Sequence, residues 1–215
     1  MRTAIVAGAT GLIGRELIQK LILSDQYRLI YLISRRESGL IHPKIKNVVT
    51  DFDLISQLDI EEPIDDAFCT LGTTMKQAGS REQFKKVDYQ YVLDFADLAK
   101  RLEASKFLII SSMGADPKSV AFYNKVKGMT EDALKGMGFK HLVIIRPSLL
   151  LGNRSEFRLA EKLSGYVMKA LNFLIPDNFK AVQGEKVAAY MVKMARTATD
   201  SVSIIKSGEI LRDGH

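Results

Sequence analysis

Short, nearly continuous apolar runs alternate along this chain with longer stretches in which apolar residues recur every three or four positions. The runs "TAIVAG" (3–8), "YRLIYLIS" (27–34), "NVVTDF" (47–52), "DAFCTL" (66–71), "KFLIISS" (106–112) and "HLVIIRP" (141–147) read as strands. Most lack the in–out alternation of a half-exposed sheet, as expected of strands covered by helices on both faces. Between the first two, Leu12, Ile13, Leu17, Ile18, Leu21 and Ile22 share one broad face of a helix over 12–23. A second helix is predicted over 81–103, opened by Ser80 as its cap with Gln83 three residues on. A third runs from about 119 to 136 and ends near Gly136 and Gly138.

The stretch 34–63 holds too little periodicity for a full helix and predicts a loop or short turn between strands. Past Pro147 the rhythm changes: 155–174 and 184–196 predict helices, and "VSIIKSGEIL" (202–211) predicts a final strand. Strand–helix alternation of this kind implies an α/β fold, a doubly wound parallel sheet with helices on both faces. No repeat, low-complexity segment or linker divides the 215 residues. One domain, 1–215, is expected, with 150–200 forming a small C-terminal substrate region.

Composition narrows the function classes. Hydrophobic residues make up 47% of the chain and charged residues 26%, as in ordinary globular proteins. The net charge of +6 comes from Lys and Arg interleaved with Asp and Glu, which describes a solvated surface. No nucleic-acid partner is expected. Cys69 is the single cysteine, in a predicted buried strand, so no internal disulfide forms and a packed thiol is expected. His42, His141 and His215 have no metal-ligand spacing, and no metal is expected. The start, "MRTAIVAG", has no signal-peptide pattern, and no apolar run reaches the roughly 18 residues of a membrane span. "SGYVMKALNFLIP" (164–176) is apolar but too short to span, and suits a core helix, a substrate lid or a subunit contact. A cytoplasmic protein is the expectation, as a monomer or homodimer.

The candidate chemistry begins where the first strand hands over to the first helix. Gly8, Gly11 and Gly14 form a GxxGxxG turn there. Glycine lets the backbone turn tightly and approach a pyrophosphate, whose charge the helix N-terminus favours. The spacing is not GxGxxG, but its place after a first strand and before an amphipathic helix leads to the expectation of dinucleotide binding over a packing-only role. At the end of the second strand an NAD site would carry Asp or Glu for the ribose 2′-hydroxyl. This chain has Ser34, Arg35 and Arg36, which suit a 2′-phosphate, so NADPH/NADP is expected over NADH. Tyr123 and Lys127, four apart on a helix, share a face. Lys127 would hold ribose hydroxyls and favour the phenolate, while Tyr123 passes a proton to a carbonyl oxygen. Ser112, ending the preceding strand, would hydrogen-bond the same oxygen, with Ser111 as the candidate one register away.

With these residues the chain resembles the short-chain dehydrogenase/reductase superfamily, in its extended or atypical branch. It is especially similar to the reductase-like proteins related to the HIV-Tat-interacting protein. The stretches that carry the resemblance are "AIVAGATGLIGRELI", "SRR", "VVTDFDLI", "FCTLGTTMKQAGSREQFKKVDYQYVLDFADLAK", "SSMGAD", "YNKVKGMTE" and "IIRPSLLLGNR", in order over 4–154. The resemblance implies a Rossmann-type sheet, NADPH and a Ser–Tyr–Lys catalytic set, here Ser112, Tyr123 and Lys127. It implies that Gly8, Thr10, Gly11, Leu12, Ile13 and Gly14 line the diphosphate, that Ser34, Arg35 and Arg36 hold the 2′-phosphate, and that Asp51 and Phe52 flank the adenine. Leu71, Gly72, Thr73 and Thr74 would pass the ribose, and Arg146, Pro147, Ser148 and Leu149 would border the nicotinamide. Extended members carry a fuller substrate domain than this chain has room for. The expected function is NADPH-dependent reduction of a small, partly apolar carbonyl compound. The alternative is an NADPH-binding regulator that turns nothing over, as the described roles of the Tat-interacting relatives suggest.

Overall fold

The apolar runs form β1 (Arg2–Ala7), β2 (Tyr27–Ser34), β3 (Ile45–Val49), β4 (Asp66–Cys69), β5 (Lys106–Ile110) and β6 (His141–Arg146) of the computed structural model, which describes residues 1–151 and 176–213. A short parallel pair, β7 (Leu150–Leu151) with β8 (Val182–Gln183), and a last strand, β9 (Val202–Lys206), follow. The helices are α1 (Leu12–Leu23), α2 (Met75–Ala78), α3 (Arg81–Lys85), α4 (Tyr91–Arg101), α5 (Phe122–Gly136), α6 (Gly184–Thr197) and α7 (Ser207–Asp213). The main sheet has the order β3-β2-β1-β4-β5-β6-β9, and every neighbouring pair is parallel. The Rossmann-type expectation is met. The order reverses between β1 and β4, and ligands of such sheets bind beyond the carboxyl ends of the strands at that reversal.

The lack of alternation in the strands has its explanation in two cores. Ala4 and Val6 of β1, Leu108 of β5 and Val143 and Ile145 of β6 face the layer of α1 and α6. Ile5 and Ala7, Phe107 and Ile109, and Leu142 and Ile144 face the layer of α4, with Val92, Phe95 and Ala99. Successive residues of each central strand therefore enter opposite cores, and both must be apolar. The edge strand β3 ("IKNVV") has no fully buried residue and is correspondingly more polar.

Boundaries moved where polar contacts end an element. β5 stops at Ile110, so Ser111 and Ser112 lie just past its carboxyl end. The helix expected over 81–103 keeps its Ser80 cap (Gln83 N–H to Ser80 Oγ, 3.0 Å) but passes through a π-helical turn, Lys86–Gln90, before α4. α5 begins at Phe122 rather than 119. The final strand ends at Lys206, not 211, because the Glu209 carboxylate accepts from Lys206 N–H at 2.9 Å and turns Ser207–Asp213 into a helix that buries Ile210. The expected helix 155–174 lies outside the described residues. Among the described residues no helix is long and apolar enough to cross a membrane, and no cluster of three His, Cys, Asp or Glu could hold a metal. Cys69 is fully buried, and burial pushes its thiol up to about 12.

Candidate active site

The turn after β1 is shaped by its three glycines in three different ways. Gly8 has φ +92°, and a Cβ there would lie 2.5 Å from the Thr70 carbonyl carbon, so β1 and β4 meet backbone to backbone at the reversal point. A Cβ on Gly14 would lie 2.1 Å from Gly8 O, so α1 starts directly on the turn. Gly11 is the N-cap residue of α1, with ordinary φ and nothing nearer to its Cβ position than Gly8 O at 3.3 Å. No side chain caps α1 and no acid stands in its first turn, which leaves the first N–H groups open to an anion. Ile13 is buried in the core and Leu12 rests against Gly184, so this turn meets a ligand with backbone rather than with those side chains.

A cleft of about 390 Å³ opens over the turn, lined by Gly8, Thr10, Gly11, Arg35, Thr70, Leu71, Gly72, Thr73, Gln77 and Gln83 among others. Among the described residues no carboxylate lines it. These glycines and α1 form a cradle that fits the diphosphate of a dinucleotide. Of the three residues expected at the 2′-phosphate, Arg35 alone lines the cleft. Ser34 Oγ donates to the Arg36 carbonyl (2.5 Å), and the Arg36 side chain is exposed outside it. Asp51 accepts from Asp53 N–H at 3.1 Å, capping a 3-10 turn, while the Phe52 ring is buried 5.4 Å from Tyr91. Phe52 is thus a core side chain. Thr74 caps α2 in a capping box with Gln77.

On the far wall of the cleft a Cβ on Gly72 would lie 3.8 Å from Lys127 Nζ. Lys127, on α5, is buried, and its ammonium lies 2.7 Å from Asp88 Oδ1, itself fully buried on the π turn. The other carboxylate oxygen of Asp88 accepts from Thr73 N–H at 2.8 Å. Burial works against the charge on Lys127, but Asp88 and Tyr123 outweigh it and hold the lysine above its ordinary range. Asp88 went unnoticed in the sequence. Tyr123, one turn before Lys127, is 37% exposed, and its ring is set by Phe84 of α3 at 5.4 Å.

The two serines after β5 differ. Ser111 Oγ donates to Glu131 Oε1, whereas Ser112 Oγ is buried with no partner among the described residues. Glu131, buried on α5, also takes Arg146 in a fork, with Nε at 2.9 Å from Oε1. The Glu131 hydrogen bonds, opposed in part by burial, raise the Arg146 guanidinium further. Glu131 is the second residue the sequence reading missed. Pro147 accepts from Met113 N–H (2.9 Å), Ser148 is held by Ser207 (2.8 Å), and Leu149 is exposed.

The model of the NAD dependent epimerase/dehydratase family matches residues 4–213. The chain is 35% identical over 178 residues to "Protein fmp52, mitochondrial" of Emericella nidulans, covering 80% of this chain and 76% of that one. It is also 35% identical over 170 residues to "Protein HTATIP2" of Rattus norvegicus, covering 76% and 69%. In fold it matches the Bordetella bronchiseptica enzyme WbmH, solved with NAD+, at a TM-score of 0.69 and 17% identity, over 97% of this chain and 76% of that one. The resemblance to the Tat-interacting reductase-like group is borne out. The cytoplasmic expectation is corrected: the fungal relative is named mitochondrial, and lack of a disulfide or membrane helix does not set a compartment.

Proposed function

The chain belongs to the NAD dependent epimerase/dehydratase family, and from that premise we propose that it is an NADPH-dependent reductase of a small carbonyl compound. The observation that carries this reading is Ser112 Oγ, a buried hydroxyl without a partner at the carboxyl end of β5. A buried hydroxyl left unpaired costs free energy, and a substrate carbonyl oxygen would satisfy it. Ser111, already engaged by Glu131, is the poorer candidate.

A bound NADPH supplies the hydride. The chain's residues do the rest. The glycine turn and the open N-terminus of α1 hold the diphosphate, and Arg35, in a cleft with no carboxylate among the described residues, favours the 2′-phosphate form. Ser112 orients the carbonyl and Tyr123 Oη donates the proton to its oxygen as charge develops there. Lys127, kept cationic by Asp88, stabilises the phenolate that Tyr123 becomes and faces the cleft beneath Gly72.

The test is NADPH consumption across aldehydes, ketones and quinones by wild type and Tyr123→Phe. The substitution removes one oxygen and keeps the ring against Phe84, so cofactor affinity holds while turnover falls about 10²–10⁴-fold. Equal rates in the two proteins overturn the catalytic assignment. No turnover in either, with NADPH still bound, favours the regulator.

A further inference from the structure

A second cavity, of about 300 Å³, opens where the carboxyl ends of β5, β6 and β9 come together. Met113, Gly114, Arg146, Asn178, Phe179 and Lys206 line it. We propose that this cavity is the substrate subsite, and that it selects carbonyl compounds bearing a carboxylate on a flat apolar body. The proposal rests on the reductase reading for the reaction, but not for the binding.

Its position comes first. Met113 and Gly114 directly follow Ser112, and Met113 N–H is tied to Pro147 O, next to Arg146. Gly114, at φ +82°, lies so close over Asn124 that a Cβ would come within 3.1 Å of its amide nitrogen. Asn124 is the neighbour of Tyr123. One turn therefore forms both the wall of this cavity and the setting of the Ser112 hydroxyl.

The chemistry of the lining comes second. Among the described residues the lining holds two cations and no carboxylate. Arg146 is fixed by the Glu131 fork through Nε and Nη2, which leaves both N–H of Nη1 and the second N–H of Nη2 as further donors. That pair carries no net charge, so the excess positive charge is Lys206, exposed at the end of β9. The carboxylate of Glu209, in the first turn of α7, is engaged by the Lys206 backbone N–H. Asn178 accepts from Gly208 N–H at 3.3 Å and keeps its amide N–H groups as further donors. In the same lining, Met113 and Phe179 remain 40% and 60% exposed. Large apolar side chains sharing a cavity with cationic and amide donors are what an apolar anion needs. The cofactor cleft, with its own lining, is separate.

The test compares para-carboxybenzaldehyde with benzaldehyde as substrates, and para-carboxybenzyl alcohol as a ligand titrated into protein with NADP+. Lys206→Glu is the variant, since an exposed lysine can change sign without disturbing the core. Arg146→Ala would strand Glu131 and is unsuitable. Lys206→Glu should raise KM for the carboxylate and weaken the alcohol by about tenfold, leaving benzaldehyde KM and NADPH affinity unchanged. If the alcohol binds equally to both proteins, or not at all, the subsite is overturned, whatever the rates. If it binds through Lys206 but neither aldehyde turns over, the subsite stands and the reductase reading falls.

Discussion

Lys127 Nζ lies 2.7 Å from Asp88 Oδ1, with both groups shut away from solvent beneath Gly72. Desolvating two charges is expensive, and removing one partner leaves the other buried alone. Asp88→Asn should therefore cost about 3–5 kcal/mol of stability. Lys127→Met should be comparably harmful alone, while the double variant loses less than the sum. A double-mutant cycle by urea denaturation reads the coupling. Additive losses would mean that the two groups do not support each other.

The three glycines of the first turn should separate by position. Gly8→Ala forces a side chain to φ +92° against Thr70, and Gly14→Ala drives one into Gly8 O, so both lose about 1–3 kcal/mol or more without any ligand. Gly11→Val is less crowded at its first carbon, where a Cβ would lie 3.3 Å from Gly8 O and 4.0 Å from Thr70 O. It should keep the apo melting temperature close to wild type while abolishing NADPH binding. Thermal melts and titration calorimetry distinguish the cases, and a Gly11 variant that melts early yet binds normally would refute the ligand role.

Arg35 carries the expectation of cofactor choice, since Ser34 Oγ donates to the Arg36 carbonyl and the Arg36 side chain lies outside the cleft. Arg35→Ala should weaken NADPH by about 1.5–3 kcal/mol, tenfold or more, and leave NADH nearly unchanged. Arg36→Ala should do neither. Calorimetric titration of both cofactors into the two variants checks this.

At the opposite end of the sheet, Asp66 is fully buried, accepting from Tyr27 Oη at 2.7 Å and pairing with Arg2 at 2.5 Å. Burial raises its carboxyl to about 6, against the opposing pull of Tyr27 and Arg2. The folded state thus holds this proton more tightly than the unfolded chain. That contribution to stability is complete below the unfolded value of 3.8 and is lost as pH rises through about 6. Its size is about 1–3 kcal/mol. Asp66→Asn should flatten the slope of stability against pH across that window. Urea midpoints measured at half-unit steps would show it, and an unchanged slope would rule Asp66 out as its source.

The legible parts of this molecule are those with local causes. The strands showed because two cores demand apolar residues at every central position, and the glycine turn showed because Gly8 and Gly14 leave no room for a side chain. Ser80 and Gln83 announced a helix start that the structure keeps. Asp88 did not show, because its partners, Thr73 N–H and Lys127, stand 15 and 39 positions away and leave no local trace. Glu131 left a faint one: it lies four residues after Lys127 on the buried face with Val126, Thr130 and Leu134. A charged residue in that stripe needs a partner, and Arg146 is it. The 202–211 run misled because its apolar residues suit a strand until the Glu209 side chain is placed.

The π turn at Lys86–Gln90 has a consequence for the phase of its helix. Tyr91 N–H reaches back to Lys86 O, five residues rather than four. One extra residue in the ladder rotates everything downstream by about 100° relative to an uninterrupted α-helix. The stripe through Phe84 and the stripe through Val92, Phe95 and Ala99 are therefore out of step by one residue, each correct for its own neighbour. Excising a single residue between 86 and 90 would restore regular winding and misalign the helix. With the downstream stripe locked into the sheet, Phe84 would swing from beneath Tyr123, and the carboxylate at 88 would leave the ammonium it now faces. A length change of one, conservative by any count of composition, would uncouple the two ends of the site.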